Sequence, residues 1–257
     1  MSSVEFAQAR MQARFGERPD AASWRELDAI EDLAAYLDAL QRTPVRPWIA
    51  GIDAPGDLHQ IDFRLRERFR AHIREVARWS PPEWRPAVLW LAQLLDLPAL
   101  AHLLSGEAPL GWMAREPGLR PFTGHLAQGT APLPDFLRRD PRRGRVRQTA
   151  PNAGEARAAW LAEWRRRWPA DDAESAQPMR ALVARLTLHL EHFRRAGPRE
   201  AWRARADLER ELRSLFRRSV LRPEAAFSYL GLVALDLERL RAQLVRRALR
   251  QRARAVA

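Results

Sequence analysis

Hydrophobic residues recur at intervals of three and four along most of the chain, which is the spacing of an amphipathic helix. One such segment places Ile61, Leu65, Phe69, Ile73 and Val76 on one face and fills the other face with arginine and glutamate. Alternating runs of valine, isoleucine and threonine, which would indicate strands, are scarce in the sequence. The pattern therefore predicts an all-α protein.

Two parts of the chain share one pattern, and we interpret them as two copies of a helical unit. Each copy opens with an amphipathic helix and closes with a more apolar helix that contains an Asp-Leu pair. The aligned residues of the first and second copy are Leu65 with Leu212, Phe69 with Phe216, and Asp96 with Asp236. We expect residues 57–104 and 206–246 to superpose as helical hairpins in which the two aspartates are equivalent.

The remaining periodic segments predict further helices. One helix is expected to begin at Ser23, with Glu26 completing a capping box, and to run through Leu40. Asp96 is expected to cap a new short helix that contains Pro98. The other expected helices are 4–15, 154–168, 178–196 and an uninterrupted closing helix over 224–250, and Trp160, Trp164 and Trp168 are expected in the core.

Helix-breaking proline and glycine residues divide the chain into three segments. Residues 1–106 hold the N-terminal helices and the first copy, and residues 199–257 hold the second copy and the C-terminal helix. Residues 107–198 hold middle helices after a stretch rich in proline, glycine and arginine, whose most basic run is 138–147. We expect that run to form a surface loop.

The formal net charge is +12, and every basic residue other than histidine is arginine. Such a charge favours anionic partners, namely nucleic acid, lipid head groups or an acidic protein surface. A GC-rich coding sequence would enrich arginine equally, so the charge alone leaves the partner open. The sequence shows no signal peptide and no apolar run long enough to span a bilayer, so we expect a cytoplasmic protein.

Few residues suggest catalysis or a bound cofactor. The chain has no cysteine, which excludes disulfides and thiolate metal sites. His189 and His192 lie one helical turn apart as a possible ligand pair, but no second acidic cluster accompanies them. Phosphate-binding glycine motifs and a nucleophile elbow are also missing. We therefore expect no metal, no cofactor and no enzymatic activity.

Several motifs resemble the central-stalk connector of bacterial and archaeal V/A-type rotary ATPases, which is known there as the C-type subunit and in eukaryotes as the d-type subunit. They are the opening Gln8-Ala9-Arg10-Met11-Gln12-Ala13-Arg14, the segment from Leu33 to Pro44 that includes Tyr36, Leu37 and Leu40, and the two Leu-Asp-Leu pivots at Asp96 and Asp236. The resemblance covers residues 5–106 and 206–247. The chain is shorter than is usual in the family, so it resembles a reduced or diverged member.

The resemblance implies an all-α funnel of three similar helical units, here reduced, around a pseudo-symmetric axis. It implies a non-catalytic connector for ion transport that links the central rotor shaft to the membrane proteolipid ring, peripheral to the inner membrane. On this interpretation, arginines of the final helix contact partner subunits or lipid head groups. The candidates are Arg239, Arg241, Arg246, Arg247 and Arg250.

The alternative function is that of a basic α-helical protein that binds nucleic acid through the arginine run at 138–147. Its arginines would contact phosphates, and binding would weaken steeply with salt. No helix-turn-helix is evident in the sequence.

Overall fold

The computed structural model describes residues 3–53, 58–124, 133–138, 151–170 and 172–256. Within these ranges the chain forms helices, turns and loops without a strand, which confirms the all-α prediction. The α-helices are α1 (Ser3–Gly16), α2 (Ala21–Ala29), α3 (Leu33–Gln41), α4 (Arg46–Ile49), α5 (Leu58–Trp79), α6 (Arg85–Trp90), α7 (Leu97–Leu104), α8 (Ala153–Arg166), α9 (Ala173–Arg195), α10 (Pro198–Arg218) and α11 (Glu224–Val256). Short 3₁₀ helices lie at Leu91–Leu95, Met113–Arg115, Arg120–Phe122 and Asp135–Leu137.

The chain divides into two compact units. Unit 1 comprises Met1–Pro82 and Asp171–Ala257, and unit 2 comprises Glu83–Ala170. The boundaries of these units cut through both the 1–106 and the 107–198 segments that the sequence suggested. Unit 1 joins the two ends of the chain, because the N-terminal helices pack on the C-terminal helix.

Helix α11 is the central element of unit 1. Helices α1, α3, α5, α9 and α10 all pack against it, and α10 makes the most extensive contact. The predicted stripes face inward, since Leu212 and Phe216 of α10 and Leu230, Leu232 and Leu240 of α11 are each at most 2% exposed. Burial of these side chains stabilises the unit by about 1.5–3 kcal/mol for each large residue.

Unit 2 has its own core around α7 and α8. Leu100, Leu103 and Leu104 of α7 pack with Met113, Leu119, Leu137, Ala156 and Ala159. Trp160 and Trp164 of α8 are buried, which confirms their predicted place in the core, whereas Trp168 is only half-buried. The Trp164 indole Nε1–H donates to the Ala87 carbonyl at 3.0 Å, so α8 is fixed to α6 by a buried hydrogen bond.

The predicted helix from Ser23 to Leu40 is wrong, because the structure has two helices there. Asp20, not Ser23, is the N-cap of α2, and its carboxylate accepts the Ser23 N–H. Asp32 is the N-cap of α3 and accepts the Ala35 N–H at 2.9 Å. Each aspartate satisfies a backbone donor that the first turn leaves free, so the chain ends one helix at Ile30 and starts another.

The two sequence copies do not form equivalent hairpins. The second copy is an unbroken hairpin of α10 and α11; α11 is uninterrupted from Glu224, as predicted, and continues past the predicted end at Arg250 to Val256. In the first copy the opening helix α5 belongs to unit 1, whereas the closing segment belongs to unit 2 and is broken into α6, a 3₁₀ helix and α7. The predicted equivalence is therefore wrong for the first copy.

The break explains why Asp96 and Asp236 have unrelated surroundings. Asp96 lies at the N-cap position before Pro98, as expected, but its side chain makes no capping hydrogen bond. It is buried in unit 2 beside Gly118, where a Cβ would lie 2.9 Å from the Asp96 Oδ2. Asp236 lies within the unbroken helix α11 of unit 1. Pro98 cannot supply the N–H that a continuous closing helix would need, so the first copy bends there.

None of the single helices in the described ranges is both long and apolar enough to cross a membrane. One bent pair, Arg85–Leu95 with Leu97–Leu104, meets the criterion of length and composition across a 52° bend.

The turn between α10 and α11 carries backbone strain. Leu221 has a φ of 61°, a left-handed conformation that favours glycine, and its side chain is exposed. Its N–H donates to the Gln8 Oε1 at 3.3 Å, so this turn also holds α1.

Leu221→Gly should raise the free energy of unfolding by up to about 1 kcal/mol, because glycine adopts this φ without a steric cost and keeps the N–H bonded to Gln8. Val220→Gly changes a neighbouring exposed residue whose φ is not positive, and it should lower the free energy of unfolding by a similar amount. Urea unfolding of both variants checks this, and equal losses would show that Leu221 is not strained.

Candidate functional site

A cavity of about 330 Å³ lies within unit 1. Residues from α1, α2, the loop around α4, α5 and α11 line it. They include Arg14, Glu17, Arg18, Trp24, Pro44, Trp48, Arg68, His72, Glu75, Arg78, Tyr229, Val233, Asp236 and Leu237. The volume is at the small end of the range for ligand pockets, so it fits a small molecule or one or two side chains of a partner.

A chain of hydrogen bonds between α5 and α11 forms one wall of the cavity. The His72 Nδ1 lies 3.1 Å from the Glu75 Oε2, and the His72 Nε2 lies 2.9 Å from the Tyr229 hydroxyl. A carboxylate can only accept, so Nδ1 carries the proton and Nε2 accepts from Tyr229. Trp48 packs edge-on against the imidazole, with ring centroids 5.2 Å apart.

Burial determines the protonation states of His72 and Tyr229 in this wall. Desolvation lowers the pKa of His72, although the hydrogen bond and charge of Glu75 oppose the shift. Desolvation likewise raises the pKa of the Tyr229 phenol. At neutral pH both side chains are therefore uncharged. Because both ring nitrogens of His72 are already bonded, this histidine positions its neighbours and offers no free nitrogen to a substrate.

An ion pair between the N-terminal region and α11 forms another wall. The Arg18 Nε donates to the Asp236 Oδ2 at 2.6 Å, and the Arg18 Nη2 donates to the Asp236 Oδ1 at 2.9 Å. The Arg18 side chain is only 8% exposed. Burial raises the pKa of Asp236, while the hydrogen bonds and charge of Arg18 lower it. This bidentate geometry fixes the residues after α1 against one point of α11.

The rest of the lining combines cations with flat apolar surfaces. Arg14 pairs with Glu17 at 3.1 Å, and Arg68 is exposed, with one hydrogen bond to the Ala50 carbonyl at 3.3 Å. Trp24 lies under the Arg239 guanidinium, 4.8 Å from the ring centroid. Such a lining suits a ligand that has a carboxylate or phosphate beside an apolar group.

The arginines expected to bind partners are mostly engaged within the molecule. Arg239 bonds Asp28 at 2.6 Å, Arg241 bonds Asp62 at 2.5 Å, and Arg250 lies 3.5 Å from Glu31. Arg246 is exposed. The partner-binding role of Arg239, Arg241, Arg246 and Arg250 stays a prediction.

Arg247 does not lie on the surface and has a structural role in unit 1, so its partner-binding role stays a prediction without an exposed side chain to support it. It is 1% exposed, and it extends from α11 to the C-terminal end of α2. Its Nε donates to the Ile30 carbonyl at 2.7 Å, and its Nη2 reaches the carbonyls of Ile30, Leu27 and Asp28. These carbonyls lie in and just after the last turn of α2, where helix carbonyls lack their usual N–H partners, and the helix dipole favours a cation there.

Two further contacts complete the surroundings of Arg247. Its Nη1 donates to the Gln243 Oε1 at 2.7 Å and to the Gln243 carbonyl at 3.0 Å. The guanidinium carbon lies 3.8 Å from the centroid of the Tyr36 ring, as a cation–π contact. Burial raises the pKa of Tyr36 to about 12, so the phenol stays neutral under the cation.

Within the described residues, the structure brings no further metal ligand to the pair of His189 and His192. His189 is half-buried, with its ring centroid 6.0 Å from that of Phe193 and the ring planes tilted by 33°, while His192 is exposed on α9. Across the described ranges, no group of three or more histidine, aspartate or glutamate side chains could hold a metal ion. Arg142, Arg143 and Arg145 of the basic run lie outside the described residues.

The sequence reasoning missed the cavity residues His72, Glu75, Tyr229 and Arg18. A signal existed for His72, because it lies seven positions after Leu65 and so shares the apolar face of α5. No local pattern pairs Arg18 with Asp236, since the two are distant in sequence.

Comparisons with known proteins add no relative. No protein-family model, curated protein or solved structure matches this chain.

The free energy of unfolding should fall as the pH drops below the pKa that His72 has in the unfolded chain. Its folded pKa is lowered, so the unfolded chain takes up a proton first as the pH drops below about 6.5. For each unit by which folding lowers the pKa of His72, the free energy of unfolding falls by about 1.4 kcal/mol. His72→Gln should flatten this slope between about pH 7.5 and pH 5 in urea unfolding, whereas His59→Gln, at an exposed position on α5, should not. Equal slopes in all three proteins would contradict the assigned state of His72.

Proposed function

We propose that the protein is a non-catalytic connector of a V/A-type rotary ATPase, a reduced or diverged relative of the C-type central-stalk connector. In this role it links the rotor shaft to the proteolipid ring during ion transport, on the cytoplasmic side and peripheral to the inner membrane. The family's funnel of helical hairpins belongs to the same proposal, and α10 with α11 supplies one complete hairpin for it.

One observation carries the proposal. Three segments that resemble the family are far apart in sequence, yet one cavity is lined by a residue from each. Arg14 ends the opening motif, Pro44 ends the second motif, and Asp236 with Leu237 forms the second pivot. Motif residues that gather at one cavity are placed to act together on one partner element.

The packing of unit 1 suits a part that transmits load. The N-terminal region is tied to the C-terminal helix α11 at two points by buried, charge-assisted hydrogen bonds of Arg18 and Arg247. Such bonds are roughly twice as strong as neutral ones and fix orientation as well as distance. A connector that turns with a shaft needs this resistance to shear between its helices.

The proposal does not depend on the first pivot. Asp96 lies in unit 2 and has no part in the cavity, so the resemblance is supported by the N-terminal motifs and by the second copy. The nucleic-acid alternative gains no specific observation, because Arg142, Arg143 and Arg145, which would test it, are not described.

The direct test is capture of partners from detergent-solubilised membranes of the native host. A tagged chain should recover the rotor-shaft and proteolipid components of a rotary ATPase. Arg68→Glu, at the exposed rim of the cavity, should lower recovery roughly tenfold because it reverses a charge in the contact.

Arg42→Glu is the matched control, since Arg42 is highly exposed and outside the cavity lining, and it should bind as the parent does. Capture that contains no rotary-ATPase component at low salt would refute the proposed function. Equal recovery by the Arg68 and Arg42 variants would refute the assignment of the cavity.

A further inference from the structure

The distal end of the α9–α10 hairpin projects from the core of unit 1. We call residues 184–203 the hairpin tip. None of these residues is buried, whereas Leu182 and Val183 before the tip and Ala204 and Leu208 after it are at most 8% exposed. The two helices meet at Ala196 and Gly197. The tip is therefore a helical projection whose side chains are open to solvent on several sides.

Large apolar side chains are concentrated on this projection. Leu188 is 69% exposed and Trp202 is 57% exposed, the two highest values among the large hydrophobic residues that the structure describes. Leu190 and Phe193 are each 37% exposed. Exposed apolar residues that cluster in this way mark contact with a protein or a membrane.

The most exposed residues point away from the core-facing stripe of each helix. Leu188 lies nine positions after Met179, which is 0% exposed, and this spacing places Leu188 on the opposite side of α9 from that buried residue. Trp202 lies two positions before Ala204 and is likewise on the opposite side of α10. By contrast, Leu190 and Phe193 continue the buried stripe of α9. Apolar side chains thus lie on opposite sides of α9 within the tip instead of covering one face.

The tip is also strongly basic. It carries the arginines Arg185, Arg194, Arg195, Arg199 and Arg203, against the acidic residues Glu191 and Glu200. Glu200 is engaged locally, because its carboxylate accepts the Gly197 N–H at 3.3 Å. Arg185 lies 3.4 Å from Glu211, while Arg194 and Arg195 are exposed in the last turn of α9.

We propose that the hairpin tip is a membrane-contact element that inserts Leu188 and Trp202 into the interface of an anionic bilayer. A fluid lipid surface can surround a projection with apolar groups on opposite sides, whereas a rigid partner face covers one side only. Tryptophan favours the level of the head groups, and the arginines bind lipid phosphates there. The partner is thus an anionic lipid surface, not a protein.

This inference goes beyond the proposed function and is independent of it. The connector role concerns protein subunits that meet the cavity, whereas the tip would bind bilayers that contain no protein. Failure of vesicle binding would leave the capture of partner proteins unaffected, and failure of the capture would leave vesicle binding unaffected.

The experiment is flotation of the full-length protein with vesicles of phosphatidylcholine alone or mixed with phosphatidylglycerol. Binding is expected only to the anionic mixture and should weaken when salt rises from about 0.1 M to about 0.5 M. Leu188→Ser with Trp202→Ala should reduce binding at least tenfold, because the inserted apolar surface is lost. Arg194→Gln with Arg195→Gln should reduce it by about fivefold for each arginine removed.

The hairpin offers matched controls. Arg217→Gln with Arg218→Gln removes two exposed charges from the last turn of α10, as the tip variant does for α9, and should leave vesicle binding unchanged. Leu249→Ser removes an exposed apolar side chain from α11 and should also have no effect. Circular dichroism of each variant should show parental helix content, because these side chains are exposed.

Three results would overturn the proposal. They are the absence of flotation with the anionic vesicles at low salt, equal losses in the two arginine pairs, and full binding by the Leu188 and Trp202 variant. The second result would indicate adsorption by net charge, and the third would indicate electrostatic contact without insertion. If the first result were obtained, binding to an acidic protein would assign the tip to a protein partner instead of a lipid surface.

Discussion

The insertion of Arg247 into the end of α2 determines how the two ends of this chain meet. The guanidinium leaves α11 and bonds to carbonyls that are 217 or more positions away in sequence. It also lies on the ring of Tyr36 in α3. The N-terminal helices are thereby held in one register on α11, and in that register residues of α1, α5 and α11 line the cavity.

A buried guanidinium is costly unless nearly all of its donors are satisfied, since an unpaired charge in the interior loses its hydration. Here carbonyls and the Gln243 amide satisfy them, and the partial negative charge of a helix C-terminus adds to the balance. The bonds from Arg18 to Asp236 act at a second point along α11. Two fixed points define both the position and the rotation of the N-terminal helices.

Much of the fold follows from local pattern, and the exceptions have physical causes. The periodic stripes identified α5, α10 and α11, because packing there agrees with helix propensity. The break before α3 was missed because the hydrophobic spacing continues across it from Leu27 through Leu33 to Leu37, and only the backbone geometry shows that Asp32 caps a new helix. The copies diverge because Pro98 interrupts one closing helix, which similarity at aligned positions cannot reveal.

The site was less predictable, because charge in a sequence does not reveal burial. Arginine among leucines was interpreted as a solvated face, which holds for Arg246 but not for its neighbour Arg247. The signal was that Arg247 follows Leu240 and Leu244 at helical spacing and so lies on the buried stripe of α11. Its partners are carbonyls, which every residue has, so no sequence motif marks them.

The central claim is that Arg247 acts through the fixed geometry of its guanidinium and not through its charge. Arg247→Lys keeps the charge but loses the planar fork, so urea unfolding should show a loss of about 3 kcal/mol, since hydrogen bonds to charged groups contribute about 1.5–3 kcal/mol each. Arg246→Lys, at the exposed neighbour, should change stability by less than about 0.5 kcal/mol. Losses that agree within about 0.5 kcal/mol between the two variants would contradict the account.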